Sequence, residues 1–141
     1  MTEEQLIQRA LKVRRNAYVP YSEFMVGAAL LGVSGEVYTG CNVECASLGA
    51  TNCAERTAVF KAVSEGETKF KAIAVTGDPN KYTFPCGICR QVLVEFGKEL
   101  KVIVAKNTDD YKVFTIEELI PHSFTPDDLV KNASEEDENG F

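Results

Sequence analysis

Three cysteines and one glutamate stand at spacings that suit a metal site with hydrolytic chemistry. Cys53 and Glu55 are separated by one residue, and Cys86 and Cys89 follow in the run PCGIC at 85–89. Structural zinc sites normally use four protein ligands, whereas catalytic sites use three and keep one position for water. The three thiols therefore predict a catalytic zinc. The position of Glu55 suggests a proton carrier beside a metal-bound water.

Other interpretations of the cysteines and of the single histidine remain open. Cys86 and Cys89 could be buried free cysteines or a redox pair, which are both common uses of such residues. Cys45 could complete a closed four-cysteine cage and make the zinc structural. Cys41 ends a predicted strand and is expected in the core. His122 is expected at the surface or at an interface, not on the metal.

The predicted thiolates need electrostatic support. Cys53 and Cys86 each stand at the start of a predicted helix, where free amide groups favour a thiolate over a thiol. Three thiolates leave the zinc core near −1, which weakens the acidification of a bound water. A cation that hydrogen-bonds a ligand sulfur would offset this effect. Arg56 and Arg90 are the candidates, and Arg56 is favoured because it adjoins Glu55.

Hydrophobic periodicity and turn residues predict the elements that must position these side chains. A capping box opens the first helix at Thr2, and a second one opens the last short helix at Thr115. Between them we expect strands at 24–31, 37–42, 70–76, 102–105 and 111–114, and helices at 54–64 and 86–96. The order α-β-β-α-β-α-β-β-α predicts an α/β domain with three α/β/α layers around a mixed, about five-stranded sheet.

Length and composition indicate one globular domain. The chain has 141 residues, of which 45% are hydrophobic and 26% charged. We expect the domain to span 1–130 and the acidic segment 131–141 to be a disordered tail. No apolar run is long enough to span a bilayer, and the polar N-terminus is unlike a signal peptide. Five cysteines without an export signal favour free thiols and the cytoplasm.

The charge pattern bears on the partner. The formal net charge is −6, and the lysines and arginines are scattered. Nucleic-acid binding draws much of its affinity from basic side chains that neutralise phosphates. We therefore expect neither nucleic acid nor membrane as partner, and favour a small uncharged or weakly charged substrate.

Residues from about 1 to 130 closely resemble the small homo-oligomeric cytidine deaminases of nucleoside salvage. The resemblance rests on four separated segments in the family's order and spacing, at 18–29, 40–44, 52–56 and 85–91. It implies a cytidine-deaminase-like fold, one zinc per chain and a homotetramer with shared active sites. It also implies hydrolytic deamination of cytidine and 2′-deoxycytidine by zinc-bound hydroxide, with Glu55 as the proton shuttle.

The resemblance further implies four substrate-binding residues. Phe24 would pack against the nucleoside, and Asn42 and Glu44 would hydrogen-bond the sugar hydroxyls. Phe124 would offer its ring to the pyrimidine bound by another subunit. One departure is Leu48, which stands where family members usually carry an aromatic residue, typically tyrosine.

Two alternative functions are compatible with the metal motif. Blasticidin-type aminonucleoside deaminases share the signature, but Asn42, Glu44 and Phe124 favour plain nucleosides. A non-catalytic zinc-binding interaction module would need four protein ligands and would have no use for Glu55.

Overall fold

A computed structural model describes residues 1–129, and the predicted tail at 131–141 lies outside them. Within the described residues the chain forms four α-helices, α1 Glu3–Arg14, α2 Ala54–Ser64, α3 Gly87–Val94 and α4 Ile116–Leu119. Five strands accompany them: β1 Gly27–Gly32, β2 Val37–Cys41, β3 Phe70–Thr76, β4 Lys101–Asn107 and β5 Asp110–Thr115. The order of elements confirms the predicted one. None of the helices in this range combines the length and apolar character that a membrane crossing needs.

The five strands form one mixed sheet in the order β2-β1-β3-β4-β5. Strand β1 pairs antiparallel with both β2 and β3, while β3 and β4 run parallel. Strand β5 closes the other edge in antiparallel pairing with β4. The parallel pair requires a crossover connection, and α3 supplies it. The start of α3 therefore lies directly after the loop that leaves β3.

Helices cover both faces of the sheet. On one face α1 buries Leu6, Ile7 and Ala10 against a cluster that includes Ala29, Ala74 and Ile103. On the other face α2 and α3 bury their apolar sides in a larger cluster, which contains Ala58, Val59, Leu93, Leu30, Ile73 and Val104. The predicted three-layer α/β/α architecture is confirmed. Both metal-motif helices lie in the same layer.

The first strand begins later than predicted. We expected it from Phe24, but β1 starts at Gly27 because the side chain of Asn42 engages the residues before it. Asn42 Oδ1 accepts a hydrogen bond from the Val26 amide at 2.9 Å, and its Nδ2 donates to the Phe24 carbonyl at 2.7 Å. The segment before Gly27 is thereby bound to a side chain instead of a neighbouring strand.

A glycine sets the distance between α2 and the sheet. Gly40 is buried in β2, and a Cβ atom added there would lie 2.5 Å from the backbone atoms Ala54 O and Ala58 N. The first turn of α2 therefore packs directly on the strand backbone. Cys53 and Glu55, at the start of this helix, depend on that close approach for their positions.

Candidate active site

Three cysteine sulfurs meet where two helices begin. Cys53 is the N-cap residue of α2 and Cys86 is the N-cap residue of α3, and neither sulfur caps its own helix. Cys89 lies one turn into α3 and is fully buried. The three Sγ atoms lie within 4.8 Å of one another. Within residues 1–129 no fourth cysteine, histidine or carboxylate joins this group, so the structure does not support the closed cage with Cys45.

The spacing of the sulfurs fits a zinc ion. Tetrahedral zinc with Zn–S bonds of about 2.3 Å holds its sulfur ligands about 3.8 Å apart. The Sγ atoms of Cys53 and Cys86 are 3.9 Å apart. This pair matches the zinc distance, and all three sulfurs lie within 4.8 Å of one another, so the three soft donors suit a zinc ion that keeps its fourth position open.

Arg56 supports the negative charge of the cluster. Its Nη2 donates a hydrogen bond to Cys53 Sγ at 3.3 Å. Hydrogen bonding from the Cys89 thiol, followed by that from Arg56, lowers the pKa of Cys53 to about 5. The same hydrogen bond from Cys89 to Cys53 raises the pKa of Cys89. Arg90, the other candidate, turns away and donates to the carbonyls of Pro85 at 2.7 Å and Leu119 at 2.8 Å.

Glu55 is a buried carboxyl group beside the sulfurs. Only 4% of it is exposed, although it lies in the first turn of α2. Burial raises the pKa of Glu55 to about 7, and the neighbouring Cys53 thiolate adds to this rise. It is not one of the three clustered ligands. A carboxyl group placed in this way can exchange protons with a molecule bound next to the metal position.

A small cavity of about 190 Å³ opens beside these groups. Five of the sequence-predicted site residues line it together, and they are Phe24, Asn42, Cys53, Glu55 and Cys86. Two of the three clustered cysteines therefore border the cavity. The metal position and the predicted nucleoside contacts therefore share one space.

Glu44 and Phe124 are not part of this lining. Glu44 Oε1 accepts hydrogen bonds from the amides of Tyr21 at 3.0 Å and Ser22 at 3.1 Å. Hydrogen bonding with Ser22, foremost from its side chain, lowers the pKa of Glu44. Phe124 is 55% exposed, and its carbonyl accepts a hydrogen bond from Gln91 Nε2 at 2.8 Å. Gln91 thereby ties the Phe124 segment to the helix that bears Cys89.

Several residues that line the cavity were missed from the sequence. They are Val26, Thr51, Ala54, Thr83 and Phe84. Ala54 adjoins Cys53, and its place at the start of a helix was a usable signal. Thr83 and Phe84 directly precede the Pro85–Cys86 motif, which was a usable signal as well, whereas Val26 and Thr51 are brought to the cavity only by the tertiary fold. His122, as expected, is exposed and does not join the sulfur cluster.

Comparisons with known proteins agree with this geometry. Residues 1–106 match the family model described as the cytidine and deoxycytidylate deaminase zinc-binding region. A cytidine deaminase of Sporosarcina psychrophila is 48% identical over 130 residues, covering 92% of this chain and 96% of the relative. A cytidine deaminase of Halalkalibacterium halodurans is also 48% identical, covering 92% of this chain and 98% of the relative.

A solved structure shows the same fold. The crystal structure of cytidine deaminase from Burkholderia pseudomallei superposes with a TM-score of 0.83 at 48% sequence identity. The match covers 88% of this chain and all of that chain. The segment matched by the family model, residues 1–106, contains both halves of the metal motif, Cys53–Glu55 and Cys86–Cys89. The chain therefore belongs to the cytidine and deoxycytidylate deaminase family, whose zinc-binding region it carries.

Proposed function

We propose that the protein hydrolyses cytidine and 2′-deoxycytidine to the corresponding uridine nucleosides and ammonia. The observation that carries this proposal is that a buried carboxyl group and a three-thiol cluster border one cavity. Glu55, Cys53 and Cys86 all line that cavity. The relatives named cytidine deaminase support the same substrate, since they align over nearly the whole chain.

Each group at the cavity has a task in the reaction. Zinc held by Cys53, Cys86 and Cys89 supplies, when bound, the Lewis acidity that activates a water molecule. Glu55 accepts a proton from the water and delivers it to N3 of the pyrimidine, which makes C4 more electrophilic. The water oxygen then forms a bond to C4. Glu55 carries a second proton to the amino group, the C4–N bond breaks, and ammonia leaves.

Arg56 and the sugar-binding pair complete the assignment. The hydrogen bond from Arg56 to Cys53 withdraws charge from the thiolate cluster and would preserve the Lewis acidity of a zinc ion held there. Asn42 lines the cavity and holds the backbone next to Phe24, so it joins the sugar site to the aromatic wall. Glu44 uses one carboxylate oxygen for backbone amides and has a second oxygen to accept from a sugar hydroxyl.

The cavity favours a nucleoside over a nucleotide. The family includes deaminases of both cytidine and deoxycytidylate. Recognition of a phosphate normally relies on arginine, lysine or a helix N-terminus, and the two helix N-termini at this cavity carry the thiols of the metal site. No lysine or arginine is among the residues that line this cavity in the described part of the chain. Together with the relatives named cytidine deaminase, this lining favours the uncharged nucleosides as substrates.

We also propose that the active sites are shared within a homotetramer. The cavity of about 190 Å³ is smaller than the range of about 300–1,000 Å³ for small-molecule sites, which supports a site that a neighbouring chain completes. Phe124 is exposed on an anchored segment and is available to reach that neighbour.

The five cysteines are free thiols, which supports a location in the reducing cytoplasm.

The substrate assignment is tested with zinc-loaded protein and three substrates. Cytidine and 2′-deoxycytidine should lose the ultraviolet absorbance of the aminopyrimidine and release one ammonia each. The same assay with deoxycytidylate should give a kcat/KM at least tenfold lower. A preference for deoxycytidylate would contradict the nucleoside assignment, and no release of ammonia from any of the three would contradict deamination.

The shared site is tested by mixing two inactive or weakened variants. Phe124→Ala removes the ring and Glu55→Gln removes the proton carrier, so each homo-oligomer is impaired. If Phe124 acts on a neighbouring chain, subunit exchange creates some sites with both an intact ring and an intact glutamate. Activity should then rise above the sum of the two separate preparations. No rise after confirmed exchange, or a fully active monomer by light scattering, would contradict the shared site.

A further inference from the structure

A second aromatic ring of the same chain borders the cavity. Phe84 lines it together with Phe24, and it stands two residues before Cys86. The Phe84 side chain remains 40% exposed. Phe84 and Cys86 both line the cavity, so the ring borders the same space as one of the clustered sulfurs.

The ring of Phe84 packs against a second aromatic ring. The rings of Phe84 and Phe114 have centroids 5.5 Å apart and planes inclined by 53°. This separation is within the favourable range for aromatic pairs, about 4.5–7 Å. Phe114 belongs to β5 and packs against the larger core cluster. Phe114 therefore links the Phe84 side chain to the sheet.

The backbone of this segment is also restrained. Phe84 precedes a proline, which confines its backbone to extended conformations. Pro85 itself is buried, and its carbonyl accepts a hydrogen bond from Arg90 Nε at 2.7 Å. A ring fixed at both backbone and side chain loses little freedom when a ligand arrives, which favours binding.

We propose that Phe84 is an additional substrate-contact residue, which forms with Phe24 the apolar wall that holds the pyrimidine within one chain. Phe114 is the positioning residue that keeps the Phe84 ring at the cavity. This inference rests on the proposed deamination of nucleosides. It adds a base contact that the chain supplies by itself, besides the ring that Phe124 offers to a neighbour.

The test compares steady-state kinetics of zinc-loaded Phe84→Ala, Phe84→Leu and wild-type protein with cytidine. Loss of an aromatic contact to a base should raise KM about 5- to 20-fold, the lower part of the range for base stacking on aromatic side chains. The kcat value should stay within threefold, and zinc content should not change. Phe84→Leu should recover part of the affinity because it restores apolar area.

Two further variants separate a substrate contact from a general structural effect. Phe114→Leu should raise KM in the wild-type background and add little when Phe84 is already alanine, since it acts through that ring. Phe96→Leu alters the Phe70–Phe96 ring pair, whose centroids lie 5.2 Å apart and which is not part of the cavity lining. This control should leave KM unchanged.

Three results would overturn the inference. They are a KM for Phe84→Ala within twofold of wild type, a loss of zinc together with kcat, or an altered oligomer by light scattering with an unchanged KM. Wild-type protein that does not deaminate cytidine would instead refute the proposed function itself. The wild-type measurement therefore distinguishes the two failures.

Discussion

The close packing of α2 on β2 predicts that a single methyl group at Gly40 disturbs the metal site without touching it. In Gly40→Ala the new Cβ would lie 2.5 Å from backbone atoms of Ala54 and Ala58, whereas ordinary contacts begin at 3.4 Å. Backbone cannot rotate away as a side chain can, so the helix or the strand must retreat by about 0.5–0.9 Å.

The expected losses follow from this displacement. Overpacking of this kind costs about 1–3 kcal/mol of unfolding free energy. Metal sites tolerate deviations of only about 0.2 Å in ligand distances, and Cys53 moves with the helix start while Cys86 does not. We expect zinc affinity to fall roughly 10- to 100-fold, the range for changes that disturb the residues supporting metal ligands.

The assay measures both quantities separately. Thermal unfolding in the presence of a chelator reports the packing cost, which should lower Tm by roughly 3–5 °C for each kcal/mol. Competition with a chromophoric chelator reports zinc affinity. Gly49→Ala is the matched control, since a Cβ at Gly49 has no atom within 4 Å. If Gly40→Ala matches this control in both assays, the close approach does not position the site.

Three more predictions concern the site itself. Metal analysis should find about one zinc per chain in Cys45→Ser and much less in Cys86→Ser. The reverse result would contradict the proposed ligand set. In zinc-free protein the raised pKa of Glu55 makes folding stability fall as pH rises from about 4.5 to about 7, because the folded state binds this proton more tightly. In the wild-type protein this loss should reach at most about 3 kcal/mol of unfolding free energy above pH 7, measured by chemical denaturation. Glu55→Gln should not show the loss. Parallel pH dependences of the two proteins would contradict the prediction. Gln91→Ala removes the 2.8 Å hydrogen bond to the Phe124 carbonyl, so KM should rise about 2- to 10-fold with zinc retained; an unchanged KM would show that this bond does not position the ring.

Much of the fold follows from local sequence signals. Strand β3 at Phe70–Thr76 has the predicted bounds because a β-rich run stands between polar turns. The capping boxes at Thr2 and Thr115 form as expected because each needs only residues within one turn. The start of β1 could not be predicted locally, since the Asn42 side chain that hydrogen-bonds Phe24 and Val26 comes from the segment that follows β2.

The candidate site divides in the same way. Cys53 and Glu55 are separated by one residue at one helix start, so their association could be predicted from spacing and recognised motifs. Val26 and Thr51 come from separate segments, and only the tertiary fold brings them to one cavity. Arg56 stands three residues after Cys53, a spacing that brings side chains together on a helix, so this contact could also be predicted from spacing.

The most direct test of the central claim, that Glu55 carries protons beside a three-cysteine zinc, is the turnover of cytidine by zinc-loaded Glu55→Gln. Zinc content and folding should match those of the wild-type protein, since Glu55 is not among the clustered ligands. The rate of ammonia release should fall by about 10²- to 10⁴-fold, the contribution of positioned acid–base catalysis. Deamination near the wild-type rate, or loss of zinc from the variant, would contradict the claim.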